Sequence, residues 1–183
     1  MKEQLNLPTR NKVVVIGNGV SRKGFALSQF NDECVIGCNA LHRDYTPTYL
    51  VVCDNRMYEE VLYSDYIKTN WVFFRSIMGF NNDRRNSGKT EISPPENAKD
   101  LKEYINDEGQ GSGICALRLA VTMKPKEIHM LGFDFGGHNI YEGTNGYPKQ
   151  AYKQITGTNW KRGFEKIRLK NSHIQFIDIM NKI

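Results

Sequence analysis

An unbroken apolar segment followed by a glycine-rich turn, close to the start of the chain, constrains the fold more than any other feature. Residues 12–16 are almost entirely valine and isoleucine, and GNGVS follows at 17–21. Such a run predicts a strand buried on both faces, as in a parallel sheet. A glycine turn after such a strand brings backbone N–H groups to a phosphate. We therefore predict a phosphate-binding loop at Gly17, Asn18, Gly19 and Ser21, with both polar side chains as donors; the alternative is an ordinary strand-to-helix turn.

Strand and helix patterns alternate along the rest of the 183 residues. Strands are predicted at 12–16, 33–38, 49–53, 71–75, 126–131 and 173–179, and helices at 22–29, 56–63, 98–105, 112–123 and 159–170. This alternation predicts an α/β fold with a mostly parallel sheet flanked by helices. We expect a single Rossmann-like domain at 12–183 after an N-terminal arm at 1–11. Two long loops, about 76–97 and 136–157, are predicted to act as lid or acceptor loops.

Charge and cysteine content narrow the classes of partner. The formal net charge of +5 suits an anionic substrate; weak nucleic-acid contact and a merely solvated basic surface stay open. The cysteines, which include no CxxC pair, predict buried reduced thiols and no metal site.

The sequence shows neither a spanning apolar run nor an apolar secretory segment, which predicts a cytoplasmic protein without a membrane span. A homo-oligomer is left open.

Polar residues recur where predicted strands end. Asn39 follows the second strand, Asp54 and Asn55 the third, and Asp134 the strand at 126–131. Ligands of open α/β sheets bind at the carboxyl ends of the strands, which makes these residues binding candidates. Ser112 and Gly113 open a predicted helix, whose N-terminus could hold an anion or a sugar hydroxyl. The alternatives are turn formers and helix caps.

The segment GGHNIYEGTNGY at 136–147 carries the candidate catalytic groups. His138 is a candidate general base, and Tyr141 or Tyr147 could donate a hydrogen bond to a leaving phosphate. Asp134 could bind a metal, but no DxD motif accompanies it, so no metal ligand is assigned.

Five motifs occur in a fixed order: VVVIGNGVS, GCNAL at 37–41, CDN at 53–55, GSG at 111–113 and EIHMLGFDF at 127–135. On these motifs the chain resembles the family 42 sialyltransferases of bacterial surface glycans, and a related group that includes archaeal 6-hydroxymethylpterin diphosphokinases. The resemblance covers roughly residues 12–178, with gaps. It implies a single Rossmann-like domain with a flexible lid, CMP-sialic acid as donor and no metal requirement.

The resemblance also assigns roles by position. It implies that Asn18 and Ser21 lie near the donor phosphate, that Asn39 and Asn55 contact the nucleotide or its ribose, that Ser112 and Gly113 line the donor site, and that Tyr141 stabilises the leaving phosphate. The family's second tyrosine corresponds to Gly136. The family's catalytic histidine, expected just before the last helix, has no match in QITGT at 154–158. Either His138 substitutes for it, or the acceptor is activated differently, or transfer is absent.

The leading hypothesis is a glycosyltransferase that moves a sugar from a CMP-sugar donor to a hydroxyl acceptor without a cofactor. One alternative is a diphosphokinase-like phosphotransferase, which requires Mg²⁺ and convergence of acidic residues such as Asp54 and Asp134. The other is a non-catalytic binding or assembly protein that retains the fold.

Overall fold

The fold is built on one parallel sheet. A computed structural model describes residues 5–75, 95–106, 111–136, 138–149 and 154–180. Within these ranges seven strands pair in the order β5-β4-β3-β2-β1-β6-β7, and every pairing is parallel. The strands are β1 Lys12–Ile16, β2 Val35–Cys38, β3 Tyr49–Val52, β4 Trp71–Phe74, β5 Ala98–Asp100, β6 Glu127–Leu131 and β7 Gln175–Asp178.

Helices cover both faces of the sheet. In the described part of the chain they are α1 Asn55–Leu62, α2 Tyr66–Thr69, α3 Ser112–Thr122 and α4 Gln154–Lys170. Val13 and Val15 of β1 point into a core shared with α3 and α4, whereas Val14 and Ile16 point into a second core with α1. All four side chains are at most 1% exposed. Residues 13–16 of this central strand are therefore all apolar, because neither face of the strand meets water there.

The predicted fold class, an α/β Rossmann-like fold with a parallel sheet, is confirmed. Each of the six predicted strands is present, with ends that differ by at most two residues. The predicted buried, reduced thiols at Cys38, Cys53 and Cys115 are also confirmed, and Cys34 is half-buried. None of the helices in the described part of the chain has the length and apolar character needed to span a membrane.

Two predicted helices are wrong. Residues 22–29 instead form parts of two 3-10 turns, Val20–Arg22 and Leu27–Phe30, because Gly24 between them adopts a positive φ of 79° that a helix excludes. Residues 98–105 give β5 and the 3-10 turn Leu101–Glu103. Pairing of β5 with β4 overrides the local helical preference, and three residues are too few to show a strand period.

The long predicted loops are described only in part. Most of the 76–97 segment lies outside the described residues, as do 1–4 of the N-terminal arm. Residues 138–149 form turns with isolated bridges, consistent with an irregular segment. The helix predicted from 159 begins earlier, at Gln154, so the predicted loop at 136–157 is shorter than expected.

The strand order creates a crevice beside β1. The chain builds the sheet outward from β1 to β5 and then returns to place β6 on the opposite side of β1. The loops that follow β1 and β6 therefore leave the sheet side by side at its carboxyl edge. Such a switch point is where open α/β sheets bind ligands.

Candidate functional site

A cleft opens at this switch point and collects most of the predicted binding residues. Its cavity volume is about 130 Å³, and its mouth opens to solvent. The predicted residues that line it are Gly17, Asn18, Gly19, Asn39, Asp54, Ser112, Gly113, Asp134 and His138. The predicted residues Ser21, Asn55 and Tyr141 are outside this lining.

The wall formed by the loops after β1 and β6 packs backbone against backbone. Gly17 N–H donates to the Leu131 carbonyl at 2.8 Å, and Gly19 N–H donates to the Gly132 carbonyl at 3.0 Å. A Cβ on Gly17 would lie only 2.5 Å from the Gly132 carbonyl oxygen. The glycines therefore allow the two loops to touch. Because these amides already have protein acceptors, the loop does not present the cradle of free N–H groups that its sequence predicts.

Asp134 links the same two loops through hydrogen bonds. Its carboxylate accepts hydrogen bonds from the Ser21 backbone N–H, at 3.0 Å, and from the Ser21 hydroxyl. The side chain of Ser21 is therefore engaged with the protein in this structure, although the sequence predicts it as a donor to phosphate. Sequence reasoning placed both residues in the site but did not pair them.

Asn18 lines the cleft and carries a buried, unpaired acceptor. Its Nδ2 donates to the Cys38 carbonyl at 3.0 Å, an orientation fixed by chemistry because a carbonyl oxygen only accepts. Its Oδ1 is buried and has no hydrogen-bond partner in the described part of the chain. Such an unpaired acceptor costs about 1–3 kcal/mol. Asn18 Oδ1 can therefore accept a hydrogen bond from a ligand hydroxyl or amino group. It does not suit phosphate oxygens, which are also acceptors, although the sequence predicts that Asn18 donates to a phosphate.

The opposite wall is a side-chain network centred on Asn39. This residue adopts a left-handed φ of 47°, which asparagine tolerates better than most residues. Its Nδ2 donates to Asp54 at 2.5 Å, and its Oδ1 accepts from the Ser112 hydroxyl at 2.7 Å. The Cys53 N–H donates to the Ser112 hydroxyl oxygen at 3.1 Å. The network thus joins the ends of β2 and β3 to the first residue of α3.

The environment of Asp54 disfavours its charge. Although water reaches its side chain, surrounding protein removes enough hydration to raise the pKa of the carboxyl, while Arg75 and the hydrogen bond from Asn39 oppose this rise. Asn55, the next residue, is exposed at the start of α1 and is not brought to the cleft.

The N-terminus of α3 supplies the positive potential of the cleft. Ser112 and Gly113 line the cleft, and their amides have no acceptor within the helix because they belong to its first turn. The first turn of α3 has no acidic residue. The N-terminus of this eleven-residue helix favours an anion there, while the carboxylates of Asp54 and Asp134, which line the same cleft, oppose it.

His138 lies at the rim of the cleft with a carboxylate partner. Its side chain is 66% exposed, and its Nδ1 is 2.9 Å from Glu142 Oε2. If Nδ1 donates to this carboxylate, Nε2 of the neutral ring is the remaining acceptor. Sequence reasoning missed Glu142, although its spacing of four residues from His138 was visible.

Tyr141 lies behind the cleft wall. Its side chain is 6% exposed, its hydroxyl donates to Asp44 at 2.5 Å, and it accepts from Arg22 Nη2 at 2.7 Å. Burial, reinforced by Asp44, raises the pKa of this phenol. Tyr147 is also buried and packs against the Tyr141 ring. The structure therefore does not bring either predicted phosphate donor to the cleft.

Sequence reasoning also missed the aromatic part of the cleft. Phe133, Phe135 and Trp160 line it, and Trp160 arrives from α4. Phe135 has a positive φ of 46°, an unusual backbone for a bulky residue. The GFDF motif at residues 132–135 contains both phenylalanines and could have indicated them. Trp160 lies in a helix that the sequence predicts to be amphipathic, and nothing in that pattern distinguishes it as a cleft residue. Among the described residues no group of three or more His, Cys, Asp or Glu side chains is arranged to hold a metal ion.

Fold and cleft together define a Rossmann-like α/β protein with an open cleft at the carboxyl edge of its sheet. No protein-family model and no curated protein sequence matches the chain. Several solved structures of other proteins are similar to it. The sialyltransferase CstII from Campylobacter jejuni, in complex with the substrate analogue cytidine-5′-monophosphate, has a TM-score of 0.55 and 16% identity over 93% of this chain and 80% of that chain.

Two further sialyltransferase structures are similar. CST-II in complex with a trisaccharide acceptor and CMP has a TM-score of 0.51 and 16% identity, covering 93% of this chain and 82% of that one. The monofunctional alpha-2,3-sialyltransferase Cst-I from Campylobacter jejuni has a TM-score of 0.55 and 13% identity, covering 100% and 81%. At these identities the likeness establishes a shared fold.

Proposed function

We propose that this protein is a glycosyltransferase that transfers a sugar from a CMP-sugar donor to a hydroxyl group of an acceptor. The observation that carries the proposal is the cleft itself. It places a helix N-terminus, an unpaired amide oxygen and a histidine with a carboxylate partner around one space at the switch point. The shared fold supports the choice of nucleotide, since two of the similar structures are described with CMP.

In this proposal the two ends of the nucleotide have different partners. The phosphate lies at the N-terminus of α3, where the amides of Ser112 and Gly113 and the helix dipole stabilise negative charge. Asn18 Oδ1 accepts a hydrogen bond from a ribose hydroxyl or from the amino group of the base. The phosphate is therefore proposed to bind at α3 and not at the glycine-rich loop of residues 17–21, where the sequence predicts it.

His138 acts as the general base in the proposed reaction. Its imidazole takes the proton of the acceptor hydroxyl, and the oxygen forms a bond to the anomeric carbon of the donor sugar. The bond between that carbon and the phosphate oxygen breaks, and its electron pair leaves with CMP. Glu142 orients the ring and stabilises the imidazolium that forms.

Isothermal titration with CMP tests the nucleotide site. We expect saturable binding by the wild type, and about tenfold weaker binding by Asn18→Ala because one ligand hydrogen bond is lost. Asn171→Ala is the matched control: its Nδ2 also donates to a backbone carbonyl, that of Ile167, but it lies beyond the end of α4. Absence of saturable binding, or equal affinities for the wild type and Asn18→Ala, would overturn the nucleotide site. Binding only with Mg²⁺ would instead favour the phosphotransferase.

Release of CMP from CMP-sialic acid, with water or an added saccharide as acceptor, tests the reaction. We expect His138→Gln to lower the rate at least about 100-fold, the usual contribution of a general base. An unchanged rate in that variant would remove His138 from the mechanism. CMP binding without any turnover by the wild type would favour the non-catalytic alternative.

A further inference from the structure

One arginine outside the cleft lining joins three parts of the structure. Arg43 ends the 3-10 turn that follows β2. Its guanidinium donates two hydrogen bonds to the Glu60 carboxylate of α1, from Nε at 2.7 Å and from Nη2 at 2.5 Å. Its Nη1 donates to the Thr144 hydroxyl and its Nη2 to the Asn145 carbonyl, both at 2.8 Å. Arg43 therefore connects the turn after β2 and α1 to the irregular segment 138–149.

The contacts of Arg43 require the particular shape of its guanidinium group. While its N–H groups bond to oxygen atoms around its edge, its Cζ lies 5.6 Å from the centre of the Tyr141 ring, within the range of a cation–π contact. The hydrogen bond from Arg43 also lowers the pKa of the Glu60 carboxyl, which keeps the ion pair intact at neutral pH. A lysine at this position would keep the positive charge but lose the planar fork of N–H donors.

The segment 138–149 depends on such attachments, because it contains neither a helix nor a strand. At its start, backbone hydrogen bonds of 3.1 and 2.9 Å tie the His138 carbonyl and the Ile140 N–H to the glycine-rich loop after β1. Further along, Arg43 holds residues 144 and 145. Glu142, the carboxylate partner of His138, lies between these two points of attachment. Its position relative to the imidazole therefore depends on both.

We propose that Arg43 is a positioning residue, which keeps Glu142 and the imidazole of His138 aligned for proton transfer and contacts neither substrate. This inference rests on the proposed transfer reaction, in which His138 takes the proton of the acceptor hydroxyl. The His138 side chain is 66% exposed, so its own packing does little to hold the ring. A general base must lie within about 3 Å of the proton donor, and a small misplacement slows the reaction. Because Arg43 does not line the cleft, its loss should slow the chemistry and leave nucleotide binding intact.

Replacing the guanidinium by an ammonium provides the test. Arg43→Lys keeps the charge but loses the fork, so it separates orientation from electrostatics. Arg168→Lys is the matched control, since Arg168 also donates from Nε and Nη2 to one carboxylate, that of Glu165, but lies on the exposed surface of α4. The rate of CMP release from CMP-sialic acid, with water as acceptor, gives kcat, and isothermal titration gives the affinity for CMP. Both substitutions are also made in the His138→Gln background.

We expect Arg43→Lys to lower kcat about tenfold while its CMP affinity stays within about twofold of the wild type. Arg168→Lys should match the wild type in both measurements. In the His138→Gln background, Arg43→Lys should lower the remaining rate by less than about twofold, because a positioning residue acts only through the base. A kcat equal to that of Arg168→Lys, or a further tenfold loss in the His138→Gln background, would overturn the positioning role and leave the transferase intact.

Glu60→Gln is a second, nearly isosteric variant that decides the question if Arg43→Lys does not fold. It weakens the hold on Arg43 because a neutral hydrogen bond is about half as strong as a charge-assisted one, so kcat should fall about threefold with CMP affinity unchanged. An unchanged kcat in Glu60→Gln would overturn the positioning role. An undiminished rate in His138→Gln alone would do the same, since it removes the group through which Arg43 acts. Absence of CMP release by the wild type would instead overturn the proposed function.

Discussion

The two walls of the cleft use similar residues in different ways. On the β1–β6 wall, the polar groups of the glycine loop bond mainly to the neighbouring loop, and Asp134 fastens Ser21. On the β2–β3 wall, Asn39 joins Asp54 to Ser112 beside an open helix N-terminus. Most polar groups of the first wall are bonded within the protein, whereas the second wall contributes a carboxylate and a helix N-terminus to the cleft. A glycine-rich turn after a strand is thus no proof of phosphate contact.

Gly17→Ala should produce the largest effect, because it disrupts the backbone packing of the first wall. The new Cβ would lie 2.5 Å from the Gly132 carbonyl oxygen, which is fixed backbone. We expect the free energy of unfolding to fall by about 3 kcal/mol, as measured by chemical denaturation.

Gly24→Ala provides the control for this substitution. Gly24 has a positive φ of 79°, but no atoms lie within 4 Å of the point that an added methyl group would occupy, so only backbone strain is added there. That strain costs about 1 kcal/mol. If Gly17→Ala were no more destabilising than Gly24→Ala, close packing of the two loops would not explain the glycine.

Substitutions of Asn39 should have a smaller effect and report on the second wall. Asn39→Ala removes the hydrogen bonds to Asp54 and Ser112, which should lower the free energy of unfolding by about 2 kcal/mol. Asn39→Gly loses the same bonds but accepts the φ of 47° without strain, so it should be about 1 kcal/mol more stable than Asn39→Ala. Denaturation of the two variants in parallel measures this difference. The reverse order would mean that the left-handed backbone carries no cost.

The cleft could be predicted from sequence because one topological rule gathers its parts. Parallel strands end at the same edge, so Asn39, Asp54 and Asp134 could be placed together without knowledge of any contact. The apolar run in β1 likewise predicted a strand buried on both faces.

The pairings within the cleft could not be predicted in this way. Ser21 and Asp134 are separated by 113 positions, and Arg22 and Tyr141 by 119. No local pattern encodes such partners. As a result, sequence reasoning could identify Ser21 and Tyr141 as polar groups near the site, but could not show that protein partners occupy them. The helix predicted at 22–29 was wrong for a local reason, the backbone of Gly24.

The smallest effect should come from removing the charge of Asp54, and its sign depends on pH. The pKa of this carboxyl is raised in the folded protein, chiefly by desolvation. Its contribution to stability is therefore fully present below the ordinary aspartate pKa and is lost as pH rises through the raised value. Asp54→Asn should accordingly be at least as stable as the wild type at pH 7, with the difference shrinking as pH falls toward 4. Urea denaturation of both proteins across this range measures it. A variant that is less stable at pH 7 would show that the ionised carboxylate stabilises the hydrogen-bond network around Asn39. Each wall would then contain a stabilising carboxylate, Asp134 in the first and Asp54 in the second.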